Sequence, residues 1–299
     1  MNAPANKQAR STARSMMRVE ESFADRMRSR VPDAAIPAVA RLGAFVLGRS
    51  EFRRSFAREE MDALVGLHRT PEEIDALVPA YIRYWAWRSE SRRHIHHQTD
   101  LAVEGVEHLV RLKEQGRAVI LSFIHHGPWE GGLASIARHG GQADIIVSSG
   151  MVQPDGPRHM HDVRRKGTST GTTVFDVAEG ARGIFSRLDQ KKVVGISFDV
   201  RGDTETTFLG RRVRIATSNV AIATRTNTPI VVFAMERRPG GPVATVSAPF
   251  EPGDYATPAD LHAAIKERHE AAADAWPEAY EQPTFRMDYL DFPRNPPAE

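Results

Sequence analysis

The spacing of His125 and Glu130, in the run His125-His-Gly-Pro-Trp-Glu130-Gly-Gly132, marks them as residues that could move a proton together. An imidazole takes a proton from an alcohol or amine near neutral pH, and a carboxylate on one ring nitrogen fixes the tautomer and raises the basicity of the other. A tight turn through Gly127 and Pro128 would fold the carboxylate back toward the first imidazole and make a dyad. A structural reading competes: strand-end histidines cap loops, and Glu130 suits the first turn of a helix opened by Trp129. Gly131 and Gly132 favour function, because paired glycines cost a helix stability yet let backbone or substrate approach closely. His126 is expected either to face solvent or to assist substrate binding beside His125.

The element that must position these residues is the run Ala118-Val-Ile-Leu-Ser-Phe-Ile124, bounded by Gly116 and Gly127. Short, apolar and rich in strand formers, it reads as a fully buried strand. A histidine at the carboxyl end of such a strand projects into the crevice where open α/β sheets bind ligands. Residues 1–14 lack periodicity and read as a disordered tail, and residues 15–100 as an N-terminal helical segment packed on the core. There Asp33, Ser50 and Thr70 are candidate N-caps, and Thr70-Pro-Glu-Glu73 matches a capping box. Residues 101–290 read as the α/β domain. Its expected helices are Val103 to Gln115, Trp129 to His139, Glu179 to Gln190, Ser218 to Thr226 and Asp260 to Ala275. Its expected strands lie at 118–124, 145–148, 172–175, 193–198, 229–236 and 243–247, the last after a Pro-Gly-Gly turn. This alternation predicts a mainly parallel sheet with helices on both faces, preceded by the helical segment.

The segment from His125 to Glu130 resembles the His-x-x-x-x-Glu block of the lipid A biosynthesis (lauroyl/myristoyl) acyltransferases, within the lysophospholipid acyltransferase-like group. Val193-Val-Gly-Ile-Ser-Phe-Asp199 is similar to the family's strand ending in Asp, Phe208-Leu-Gly210 to its Phe-Phe-Gly, and Pro277-Glu-Ala-Tyr280 to its late Pro-Glu-Gln-Tyr. The likeness runs from about residue 105 to 280 in the family's order, and order across blocks is more specific than any one motif. It implies an acyltransferase that needs no cofactor, with an acyl-carrier-protein or acyl-CoA donor and a lipid or small-molecule acceptor. It implies His125 as base with Glu130 orienting it, and a basic residue among Arg164, Arg165 and Lys166 holding phosphate or the oxyanion. Arg201 is a second candidate for that role, and Trp129 and His126 are expected beside the substrate. Backbone N–H groups after the strand would share the oxyanion's charge. Asp199 is expected to close a loop by accepting backbone N–H bonds rather than to serve as a second base. The family's usual apolar anchor has no counterpart: the longest apolar stretch, Ile36 to Leu47, is too short to span a bilayer and carries Arg41.

The chain's 299 residues, 41% of them apolar, suffice for a sizeable core. Forty basic residues against 38 acidic ones leave a net charge of +2, so basic clusters such as Arg211-Arg212-Val-Arg214 would act locally, on phosphates or an acidic protein. Nothing suggests a nucleic-acid partner. The absence of cysteine excludes disulfides and a thiol nucleophile. The absence of a secretory core after the basic start predicts a cytoplasmic protein, with peripheral contact at the inner face of the cell membrane as a further expectation. Two other chemistries compete. Gly167-Thr-Ser169-Thr-Gly171 matches a serine-hydrolase elbow but lacks the preceding buried strand and following helix. The clusters His94-Ile-His-His97 and His159-Met-His161-Asp162 suggest a metal, though neither has a full ligand pattern, and no metal is expected. A non-catalytic lipid- or carrier-binding protein is the remaining alternative.

Overall fold

In a computed structural model of the chain, residues 31–92, 100–152 and 170–292 are described. The expected tail, the two histidine clusters, Arg164, Arg165 and Ser169 lie outside them. Among the described residues three helices come first: α1 (Ile36–Arg49), α2 (Glu51–Val65) and α3 (Pro71–Ser91). Ser50 caps α2 by accepting the Arg53 N–H, and Thr70 with Glu73 forms the expected capping box on α3. A single 3-10 turn, Asp33–Ala35, precedes α1 and moves its cap position to Ala35.

The sheet that follows is built from β1 (Ala102–Glu104), β2 (Val119–Phe123), β3 (Asp144–Val147), β4 (Thr173–Asp176) and β5 (Val193–Ser197). After the β6 (Thr204–Phe208) and β7 (Arg211–Ile215) hairpin it resumes with β8 (Ile230–Arg238) and β9 (Gly241–Val246). The strand order is β1-β9-β8-β2-β5-β3-β4, and only the β8–β9 pairing is antiparallel. The helices between are α4 (Val106–Glu114), α5 (Trp129–Arg138), α6 (Ser149–Val152), α7 (Gly180–Asp189) and α8 (Ser218–Thr226). The chain then runs through α9 (Pro258–Ala275), α10 (Pro283–Arg286) and β10 (Asp288–Tyr289). β10 joins β7 and β6 in a second, three-stranded sheet.

β2 lies centrally because both its faces are apolar. Val119, Leu121 and Phe123 pack with Leu109 of α4 and Leu133 and Ile136 of α5. Ile120 and Ile124 share the opposite core with Met61 and Leu64 of α2, Val78 and Ile82 of α3, and Leu261 and Ile265 of α9. The alternation is the period-2 pattern of a strand covered on both sides.

Two expectations are corrected. Val103 belongs to β1 and not to a helix, which starts after Gly105; a Cβ on Gly105, whose φ is 76°, would lie 2.0 Å from the Val246 carbonyl oxygen of β9. The Arg211–Arg214 cluster is strand β7, with Arg211, Val213 and Ile215 inward. Arg211 donates to the Asp62 carbonyl and Arg212 pairs with Glu205, so these two charges are met within the chain.

Candidate active site

β2 and β5 are parallel neighbours with Phe123 beside Ser197, so the residues after them emerge at the same sheet edge. The Phe198 N–H continues the ladder to the Phe123 carbonyl. His125 and Asp199 thus meet. The Asp199 carboxylate, fully buried, accepts the His125 backbone N–H at 2.8 Å through Oδ2 and the ring Nδ1 at 2.8 Å through Oδ1. The Tyr280 hydroxyl donates to Oδ2 at 2.9 Å. Burial pushes the Asp199 carboxyl up, but the His125 ring, its hydrogen bonds and the Arg286 guanidinium outweigh this and bring it to about 2. An ionised carboxylate only accepts, so Nδ1 carries a proton, and in the neutral form of the ring the lone pair is on Nε2, which no described residue holds. Trp129 stands edge-on to the imidazole at 4.9 Å between ring centroids and stacks on Phe123.

Asp199 therefore does more than the loop closure expected of it. Glu130, expected on the imidazole, is bonded elsewhere: one oxygen to Arg88 and the other to Arg92 Nε at 3.2 Å. Two causes act together. Gly127, at a φ of 63°, donates to the Ala279 carbonyl, and His125 accepts from the Glu281 N–H, so the turn is pinned to the 279–281 segment. The C-terminal turn of α3 meanwhile brings Arg88, only 5% exposed, against the first turn of α5, and a buried guanidinium requires a carboxylate.

Arg92 also reaches Glu281 at 2.6 Å, and Arg286 lies 3.3 Å from the same carboxylate. Burial raises the carboxyls of Glu130 and Glu281, yet the arginines win and lower both, Glu281 to well below the usual range. The guanidiniums of Arg88, Arg92 and Arg286 are matched chiefly by the carboxylates of Glu130 and Glu281, which leaves the Asp199 carboxylate on Nδ1 to meet a positive charge appearing on His125.

The remaining candidates fall unevenly. Trp129 joins the site and donates from Nε1 to Glu281 at 3.3 Å. His126 does not face solvent: it is 1% exposed, its Nε2 bonds the Trp276 carbonyl at 2.8 Å, and burial lowers its pKa to about 4. Arg201 donates to the Thr284 carbonyl at 3.0 Å and lies near Asp288. Arg164 and Arg165 fall outside the described residues. The backbone donors expected after the strand are taken, since the N–H groups of His125, His126 and Gly127 bond Asp199, the Ile124 carbonyl and the Ala279 carbonyl. Gly132 serves packing rather than substrate: a Cβ there would lie 2.5 Å from Met235 Sδ and 2.6 Å from Phe233 Cζ of β8. Among the described residues no group of three or more His, Asp or Glu is arranged to hold a metal ion.

Sequence reasoning missed Arg88, Arg92, Glu281 and Arg286. The one local signal is the Arg88/Arg92 pair at helical spacing, which places two cations on one face at the end of α3.

The solved structure of the 1-acyl-sn-glycerophosphate (LPA) acyltransferase PlsC from Thermotoga maritima is similar over 81% of this chain and 96% of that one, at 13% identity and a TM-score of 0.42. Among proteins of curated function none matches. The family model described as bacterial lipid A biosynthesis acyltransferase matches residues 31–281. The match takes in both strands that end in the paired His125 and Asp199, the helix that supplies Arg88 and the segment that supplies Glu281, and the chain belongs to this family of acyltransferases.

Proposed function

We propose that the protein moves a fatty-acyl or similar acyl group directly from an acyl-carrier-protein or CoA thioester to a hydroxyl or amine of a lipid, glycolipid or specialised metabolite. The observation that carries this reading is the His125–Asp199 pair at the sheet edge, with Nε2 left without a partner among the described residues. Nε2 takes the acceptor's proton as its oxygen or nitrogen attacks the thioester carbon; the oxyanion then collapses, the C–S bond breaks, and Nε2–H returns the proton to the departing sulfur. Asp199 holds the ring through both steps and stabilises the imidazolium between them. Glu130 acts one step removed, holding Arg88 and Arg92 at the head of α5. With the loop N–H groups engaged, the oxyanion falls to the first-turn N–H groups of α5 and to an arginine, for which Arg164, Arg165 and Arg201 remain the candidates. Trp129 is a wall of the reacting site. The donor places the reaction in the cytoplasm, and a lipid acceptor implies peripheral contact with the inner face of the membrane.

Offered an acyl-carrier-protein or CoA thioester without acceptor, the protein should release thiol slowly, and an acceptor should speed this by orders of magnitude because proximity favours transfer over attack by random water. Intact-protein mass spectrometry should find no acyl adduct. An acyl group trapped on Ser169, or activity lost to EDTA and restored by Zn²⁺, would replace direct transfer with a hydrolase mechanism.

A further inference from the structure

Tyr280 is held by the same turn that carries the base. The Gly127 N–H bonds the Ala279 carbonyl at 3.0 Å and the Glu281 N–H bonds the His125 carbonyl at 2.9 Å, so residue 280 lies opposite His126 and is fixed on both sides. Its phenol turns inward, 1% exposed, with the Phe208 and His126 ring centroids at 6.0 and 6.1 Å. Phenylalanine would serve this packing as well. The hydroxyl is what packing does not require, and it donates to Asp199 Oδ2 at 2.9 Å. Burial by itself does not secure such a partner: the Tyr84 and Tyr289 hydroxyls are buried too and have none among the described residues.

That bond falls on the group that governs the base. Oδ2 of the buried Asp199 accepts both the His125 N–H and the Tyr280 hydroxyl, while Oδ1 accepts the ring Nδ1. A hydrogen bond to the charged form of an acid favours that form. The phenol therefore draws carboxylate charge toward Oδ2 and weakens the hold of Asp199 on a proton carried by the ring. Burial, followed by the Asp199 charge, pushes the Tyr280 hydroxyl well above its usual range, so it stays protonated and donates. The other groups that face the pair are the Arg286 guanidinium, which acts on Asp199 and Glu281, and Glu281, which senses the His125 charge. Arg88 and Arg92 are tied to Glu130, and Arg92 also to Glu281. The rings of His126 and His269 and the Tyr289 hydroxyl are kept neutral by burial. Removing one hydroxyl leaves all of these in place.

We propose that Tyr280 is a positioning residue for the transfer: by sharing the Asp199 carboxylate with His125 it sets the pH above which the ring is free to take the acceptor's proton. The assignment rests on the reading of His125 as the base. It gives the late Pro277-Glu-Ala-Tyr280 segment a role in the reaction, through Asp199 and without touching substrate.

The test is Tyr280→Phe in the full chain, read in two ways: the pH profile of thiol release from dodecanoyl thioesters of acyl carrier protein and of CoA, and ring-nitrogen NMR of His125 across the same pH range. Without the phenol the carboxylate holds the ring proton more strongly, so the acid limb of the profile and the ring titration should both move up by about half a pH unit. Below the limb this is about a three-fold loss of rate. The alkaline plateau and the KM for the thioester should stay within about three-fold of wild type, because both remaining bonds to Asp199 are kept. A folded Tyr280→Phe protein whose limb and ring titration stay put or move down, with only its melting temperature lowered, would overturn the proposal and leave Tyr280 a packing residue. Should that variant not fold, a ring-fluorinated tyrosine at position 280, a stronger donor of nearly the same shape, decides: a limb moved to lower pH upholds the assignment and an unmoved one overturns it. Failure of the acyl-transfer reading would appear separately, as wild type that releases no thiol while the ring titration still moves in Tyr280→Phe.

Discussion

His125 and His126 are neighbours in sequence and opposites in chemistry. The first pairs with an ionised carboxylate and has no partner for Nε2 among the described residues; the second is sealed against the Trp276 carbonyl. A third, His269, lies fully buried with Nε2 2.9 Å from the Ser122 hydroxyl, and burial lowers its pKa to about 3, as it lowers His126 to about 4. Both stay neutral in the fold where an unfolded histidine protonates near about 6.5. The unfolded chain therefore binds protons that the native chain refuses, and stability falls as pH drops from about 6.5 toward those lowered values, by roughly 1.4 kcal/mol per pH unit for each histidine. Urea midpoints measured between pH 6.5 and 4.5 should fall accordingly, and His269→Gln should make the dependence shallower. A midpoint flat across that range would contradict the neutral, buried state of both rings. Residue types also explain what was legible at this scale. Imidazole chemistry and the strand-end position single out His125, but spacing along the chain favours Glu130 as its partner, because a contact between strand ends 74 residues apart leaves no local trace.

At the scale of elements, β2, β5, α5, α7 and α9 were readable because each carries a period and a boundary: a buried apolar run, or an apolar stripe with a cap or a turn glycine. The β6–β7 hairpin was not, since its alternation is written in arginine and threonine, and a strand with Arg211 facing inward defeats a hydrophobicity pattern. The family resemblance placed Pro277-Glu-Ala-Tyr280 in the right region, but only the fold shows Tyr280 donating to Asp199. Paired glycines at the head of α5 suggested room for substrate; the room at Gly132 is filled by Met235 and Phe233 of β8. Gly132→Ala should therefore force α5 off the sheet, cost about 1–3 kcal/mol as overpacking does, and displace Glu130 and Trp129 with it. Thermal denaturation and thiol release together check this: both should decline, whereas an unchanged melting temperature would mean that α5 does not sit this close to β8.

The whole molecule converges on one sheet edge. Helix α3 brings Arg88 and Arg92, strands β2 and β5 end in His125 and Asp199, and the 279–281 segment returns to pair with 125–127 and add Tyr280 and Glu281. The N-terminal helices share a core with the sheet, which makes the Arg88 contact a consequence of packing rather than of a flexible arm. In this arrangement the imidazole answers to Asp199, and Glu130 answers to the arginines. The measurement that tests this most directly is single-turnover acyl transfer by Asp199→Asn beside Glu130→Gln, each shown to be folded by circular dichroism. An amide in place of the Asp199 carboxylate no longer compels Nδ1 to carry the proton, so Asp199→Asn should lose on the order of 10²- to 10⁴-fold, while folded Glu130→Gln loses less. Near-wild-type transfer by Asp199→Asn, with transfer abolished in folded Glu130→Gln, would contradict the account and put Glu130 on the imidazole.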